Sequence, residues 1–181
     1  MSAWRDWVAT SARTVEVLPP ARGEETLTQL QVSARSTLGS IALETGGILV
    51  DDGWLRILGG GSEALPSVAE WAGLGDVQLV EPVDRGLCVA FDAVGGFFVL
   101  LAHTNRVHSF MPDTLDWQDT GLGYSAFVHW TLHGDLDRFY GALRRADWRG
   151  LAPDEAVSIR DGTTRRVTEL WALYPGGRLR A

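Results

Sequence analysis

The 181 residues, 45% of them hydrophobic and 22% charged, are enough to bury one core and too few to bury two comfortably. All 16 basic residues are Arg, which excludes Schiff-base chemistry, a pyridoxal-phosphate anchor, the phosphate-loop lysine and the kinase lysine together. The 23 acids bring the net charge to −7, a balance that repels nucleic-acid phosphates and anionic lipid.

In chain order, Trp4, Trp7 and Val8 recur at helical spacing and predict a short amphipathic helix. This N-terminus lacks the basic-then-apolar pattern of a secretion signal, so a cytoplasmic location is expected. Residues 14–20 are extended and stop at Pro19-Pro20. Glu24 to Leu30 reads as a helix. Residues 36–47 read as a second, with Ser36 as N-cap and Gly46-Gly47 as its stop.

Beyond Gly47 the period changes. Residues 48–50 and 54–58, joined by Asp51-Asp52-Gly53, predict a hairpin. The glycines at 59–61 suggest a flexible exit, and residues 65–74 one or two helical turns. Residues 77–83 suit an edge strand, because Pro82 has no N–H to donate. Residues 87–92 and 97–102 are apolar with little alternation, which places this hairpin at the centre of a sheet covered on both faces. Shorter strands follow at 107–112 and 116–121, helices at 123–133 and 135–145, and a late strand or ordered arm at 166–174. The whole, residues 1–181, reads as one α+β domain with a mostly antiparallel sheet flanked by helices.

Candidate catalytic residues are scattered. His129 and His133 stand four apart on a predicted helix, a spacing that can grip zinc. The metalloprotease pattern needs Glu after the first His, however, and Trp130 stands there. His103 and His108 have Asp92 and Asp113 near in sequence, but neither Ser109 nor Ser125 lies in a nucleophile elbow. Gly121, Gly123 and Ala126 match a loose dinucleotide spacing without the apolar strand that must precede it. Asp113, Asp116 and Asp119 are spaced by three, unlike a calcium loop, and Cys88 sits in an apolar strand as a core thiol. No metal and no cofactor is therefore expected.

The eight Trp either fill a core poor in Ile or form a partly exposed binding face. Residues 1–133 hold 7 Arg against 16 acids, and two acidic loops lie beside Trp. Asp51, Asp52 and Trp54 form one such group, and Asp113, Asp116, Trp117 and Asp119 the other. These seven residues are the candidate binding surface, and its expected partner is a basic protein.

The blocks AWRDWVATSARTVEVLPP, QVSARSTLGSIALETGGILVDDGWLRILGGGS, FDAVGGFFVL and PDTLDWQDTGLGYSAFVHWTLHGDLDRFY resemble the bacterial domain-of-unknown-function family 2625, in order from about residue 3 to residue 140. Members follow the FDAVGGFFVL block with an Asn-Gly-Gly turn, where this chain has AHTNRV. The resemblance implies no activity. More distantly, the layout is similar to the SUKH superfamily, with N-terminal helices, a Gly-Gly turn, an antiparallel sheet and then a Ser-x-x-Phe-type helix, here at Ser125 and Phe127. That similarity implies an immunity-like or protein-interaction role. The function expected is non-catalytic protein binding; the alternative is a small hydrolase built on His103, His108 or the His129/His133 pair.

Overall fold

The computed structural model describes residues 2–73 and 86–173. Seven strands form one antiparallel sheet in strict chain order. They are β1 (Val15–Leu18), β2 (Gly47–Val50), β3 (Leu55–Leu58), β4 (Gly86–Asp92), β5 (Phe97–Leu101), β6 (Arg106–Met111) and β7 (Asp116–Asp119). The apolar hairpin β4–β5 is central, as its lack of alternation predicts. The segment 77–83 lies outside the described residues.

Alternation along each strand divides the sheet into two faces. Leu49, Arg56, Phe91, Phe97, Phe110 and Trp117 are successive register partners on the first face. Ile48, Ile57, Ala90, Phe98 and Ser109 are the matching series on the second. Helices α1 (Ala3–Thr10), α3 (Thr37–Glu44) and α5 (Tyr124–His133) pack together. They cover the second face, where Phe127 meets Phe98 at 5.0 Å between ring centroids. The first face is covered by Trp71 of α4 (Val68–Gly73), stacked on Phe91 at 5.7 Å, and by Trp171, edge-on to Phe97 at 5.0 Å. Helix α2 (Gly23–Leu30) leans on α3 and α4.

Ser36 caps α3 as its position predicts, its side chain accepting the Gly39 N–H at 3.0 Å. The glycines at 59–61 are buried, which corrects the flexible reading: a Cβ at Gly59 would strike Thr45, and one at Gly60 the carbonyl of Ala42. The backbone passes there too close to its neighbours for any side chain.

Odd-to-even alternation sets the β2–β3, β4–β5 and β6–β7 turns at one end of the sheet. The C-terminal part wraps around that end. The helix expected over 135–145 breaks at Gly141 (φ 54) into α6 (Leu136–Tyr140) and a 3-10 turn, Gly141–Arg145. Phe139 of α6 faces Phe98 on the second face at 6.2 Å. The small hairpin β8 (Glu155–Val157) with β9 (Thr164–Arg166) then crosses the turns, where the Val157 N–H donates to Ala93 O at 2.7 Å. Residues Val167–Leu173 form helix α7, not the strand or arm expected; Val167, Leu170 and Trp171 bury one helical face on the sheet. Spacings of three and four outweigh the β-branched start of this segment.

Candidate functional site

The tryptophans fill the core. Trp4, Trp54, Trp71, Trp148 and Trp171 are buried, and Trp7, Trp117 and Trp130 are half-buried against them. The two acidic loops consequently have different characters, although both belong to the turn end of the sheet.

At the β2–β3 turn, Trp54 is 0% exposed and meets Tyr140 and Trp148 edge-on, each at 4.9 Å between ring centroids. It is an internal anchor, which corrects its placement on a surface. Arg144 lies over both indoles, 4.6 Å from the centroid of Trp54 and 4.8 Å from that of Trp148, and pairs with the Asp51 carboxylate. Trp148 Nε1 donates to Asp51 O at 3.2 Å. Asp52 stands 3.9 Å from Arg149. The carboxylates of Asp51 and Asp52 thus face basic groups of this same chain.

The second loop stays open. Asp113, Asp116 and Asp119 are exposed on the β6–β7 hairpin, with Trp117 half-buried on Phe110 at 5.3 Å. The Gly121 N–H, above all, and then Arg106 hold the Asp119 carboxyl below the usual carboxylate range, so it stays charged. Four of the seven predicted binding residues share this hairpin. The other three belong to the turn across the β4–β5 hairpin.

His129 and His133 come together, but among the described residues without a serine or carboxylate between them. His108 is the cross-strand partner of Asp119, but the adjacent Ser109 points to the opposite face. The rings of His129 and His133 stack at 4.6 Å, and Trp7 meets His129 edge-on at 5.4 Å. His133 Nε2 donates to Trp7 O at 3.1 Å. Ser125 pairs with Thr37 at 2.6 Å rather than with an imidazole. Among the described residues no three His, Cys, Asp or Glu are placed to hold a metal ion. Cys88 is buried, and burial pushes its thiol pKa up, away from reactivity.

Sequence reasoning missed a buried polar group beneath the turn end. Asp92 is 0% exposed, and its Oδ1 accepts the N–H groups of Val94 at 3.0 Å and Gly96 at 2.8 Å. Burial raises its pKa against these bonds; the Tyr140 hydroxyl nearby also lowers it, although neither Oδ2 nor that hydroxyl has a hydrogen-bond partner among the described residues. Arg56, 1% exposed, donates through Nη1 to Glu155 O at 2.8 Å, while its Nε has no partner among the described residues. Burial lowers its pKa to about 10, opposed most by Asp92, so it remains charged at neutral pH. The signal was a lone charged residue in each of two apolar strands, WLRIL and LCVAFD.

Arg56 borders a cleft of about 460 Å³ on the first face, beside β1–β3. Glu16, Leu49 and Arg56 lie side by side in register along its sheet wall, and Asp52, Gly53 and Arg149 also line it.

The profile described as "Protein of unknown function DUF2625" matches residues 1–161. The chain belongs to that family. It is similar to YbfG of Escherichia coli (strain K12), 35% identical over 95% of this chain and 90% of that protein. It is also similar to an uncharacterized protein of Haemophilus influenzae, 31% identical over 82% of this chain and 70% of the relative. No solved structure matches it. No helix among the described residues is long and apolar enough to cross a membrane.

One result follows from Asp92. A raised folded-state pKa means that the folded chain keeps a proton the unfolded chain has released, so stability is greatest below the unfolded value of about 4 and falls as pH rises toward the folded value. Asp92→Asn keeps the Oδ1 acceptor and removes the buried charge. It is expected to remove this slope in urea unfolding followed across pH and to cost no stability at neutral pH. Asp92→Ala orphans two N–H groups and is expected to cost about 2 kcal/mol.

Proposed function

We propose that this DUF2625 member is a non-catalytic, immunity-like binding module that takes a basic protein at its β6–β7 hairpin. The observation that carries this reading is the combination on β7. The strand ends the sheet, and among the described residues no strand pairs with its outer edge. It presents exposed carboxylates around a half-buried Trp. An extended segment could add to that edge through backbone hydrogen bonds, with basic side chains meeting Asp113, Asp116 and Asp119. A net charge of −7 would speed the encounter, and the ring of Trp117 would slow escape. The SUKH-like layout expected from the sequence would belong to the same class, by analogy alone.

The two contributions separate in binding kinetics against a partner recovered from an extract of the organism of origin. Replacing Asp116 and Asp119 by Asn is expected to slow association and flatten its salt dependence. Trp117→Ala is expected to speed dissociation about 30-fold, or about 2 kcal/mol. A partner whose rates ignore both changes binds elsewhere and overturns the assignment.

A further inference from the structure

We propose that the cleft beside Arg56 binds a small zwitterion, its carboxylate held by Arg56 and Arg149 and its ammonium by Glu16 and Asp52. This site is separate from the β6–β7 hairpin and does not depend on the partner proposed there.

The first argument is the cost of Arg56. A guanidinium taken out of water is tolerated where its donors are used, yet among the described residues Nη1 alone has a protein acceptor and Nε is buried without one. Nε lies beneath the rim, where a Cβ at Gly53, a residue that lines the cleft, would stand 4.0 Å from it. A carboxylate docked where the guanidinium borders the cleft offsets its buried charge, and a guanidinium fork is shaped for it.

The second argument is charge. The cleft is lined by two guanidinium groups and two carboxylates, which cancel. A plain anion would meet Glu16 and Asp52, and a plain cation would meet Arg56 and Arg149. A ligand carrying both charges satisfies all four. The Arg149–Asp52 pair is loose, at 3.9 Å with both side chains largely exposed, so a ligand displaces it at little expense.

Size and shape agree. About 460 Å³ accommodates an amino acid or a dipeptide, and Leu49, Leu151 and Pro153 offer an apolar wall to its side chain. The rim is a tight hairpin turn. Asp51 (φ 56), Asp52 (φ 53) and Gly53 (φ 78) are all left-handed, as the reversal between β2 and β3 requires, and this turn sets the shape of the rim. Arg144 and Trp148 hold Asp51 in that turn and so fix the position of Asp52.

The test is a titration of the full chain with alanylleucine, followed by amide chemical shifts, beside N-acetyl-alanylleucine and alanylleucine amide. The dipeptide is expected to shift the amides of Asp52, Gly53 and Arg56, with each capped form binding at least about tenfold more weakly. Glu16→Gln and Arg149→Gln, both on exposed side chains, are expected to leave melting unchanged and to weaken the dipeptide to a similar degree. Arg56→Gln, where it folds, is expected to weaken the dipeptide further, and the two exposed variants test the site without it. No shifts at the cleft up to about 10 mM dipeptide would overturn the site. Equal binding of the N-acetylated form would overturn the zwitterion and leave a plain anion site.

Discussion

Replacing Gly96 by Val is expected to destabilise the protein by about 3–5 kcal/mol, lowering Tm by roughly 10 °C. The β4–β5 turn carries the centre of the sheet, so the damage reaches strands on both sides. A Cβ at Gly96 would collide with the Asp92 carboxyl, whose Oδ1 accepts the N–H groups that shape the turn. Asp92 is fully buried and has nowhere to retreat. Gly95 meets a different constraint: at φ 85 any side chain is strained, and its Cβ would press on Leu170 at 3.1 Å. Gly95→Ala is therefore the milder change. A Gly96→Val protein that melts with the wild type would remove this account of the turn.

Trp54→Ala is expected to cost about 3–5 kcal/mol in urea unfolding. The indole lies between the rings of Tyr140 and Trp148 with Arg144 across it, and all three partners come from the C-terminal part of the chain. Its removal leaves a cavity and loosens the segment that wraps the turn end. Trp54→Phe fills part of the space and is expected to cost less than half as much. Equal melting of wild type and Trp54→Ala would mean that the C-terminal part does not depend on this contact.

These two positions also show what was legible in the sequence. Hairpins were readable because turn chemistry is local: the glycines of AVGG and the Asp-Asp-Gly run each mark a place where the chain reverses. The central position of β4–β5 followed from apolar residues on both faces. Side-chain exposure is different in kind. Whether Trp54 faces solvent is decided by Tyr140, Trp148 and Arg144, roughly ninety residues later in the chain, and no period within WLRIL carries that information. Trp117 has fewer such covers and remains half-exposed.

The acidic loops divide for the same reason. Asp51 and Asp52 read like Asp113 and Asp116 in composition, yet the basic stretch at 144–149 folds back onto the first pair alone. Residues 134–181 hold 9 Arg against 7 acids, but composition does not show where that excess folds. Arg56 and Asp92 were present in the sequence as single charges in apolar strands. Their significance emerges once a buried cluster and a cleft surround them.

The most direct test of the proposed function is site-specific photo-crosslinking from Gln118, exposed on β7, against a control at Val17 on the opposite edge strand. With the photoreactive group at Gln118, an adduct with a single basic protein is expected in cells, weakened by raised salt in the extract and absent from the Val17 control. No adduct at Gln118, or the same adducts from both edges, would contradict the account.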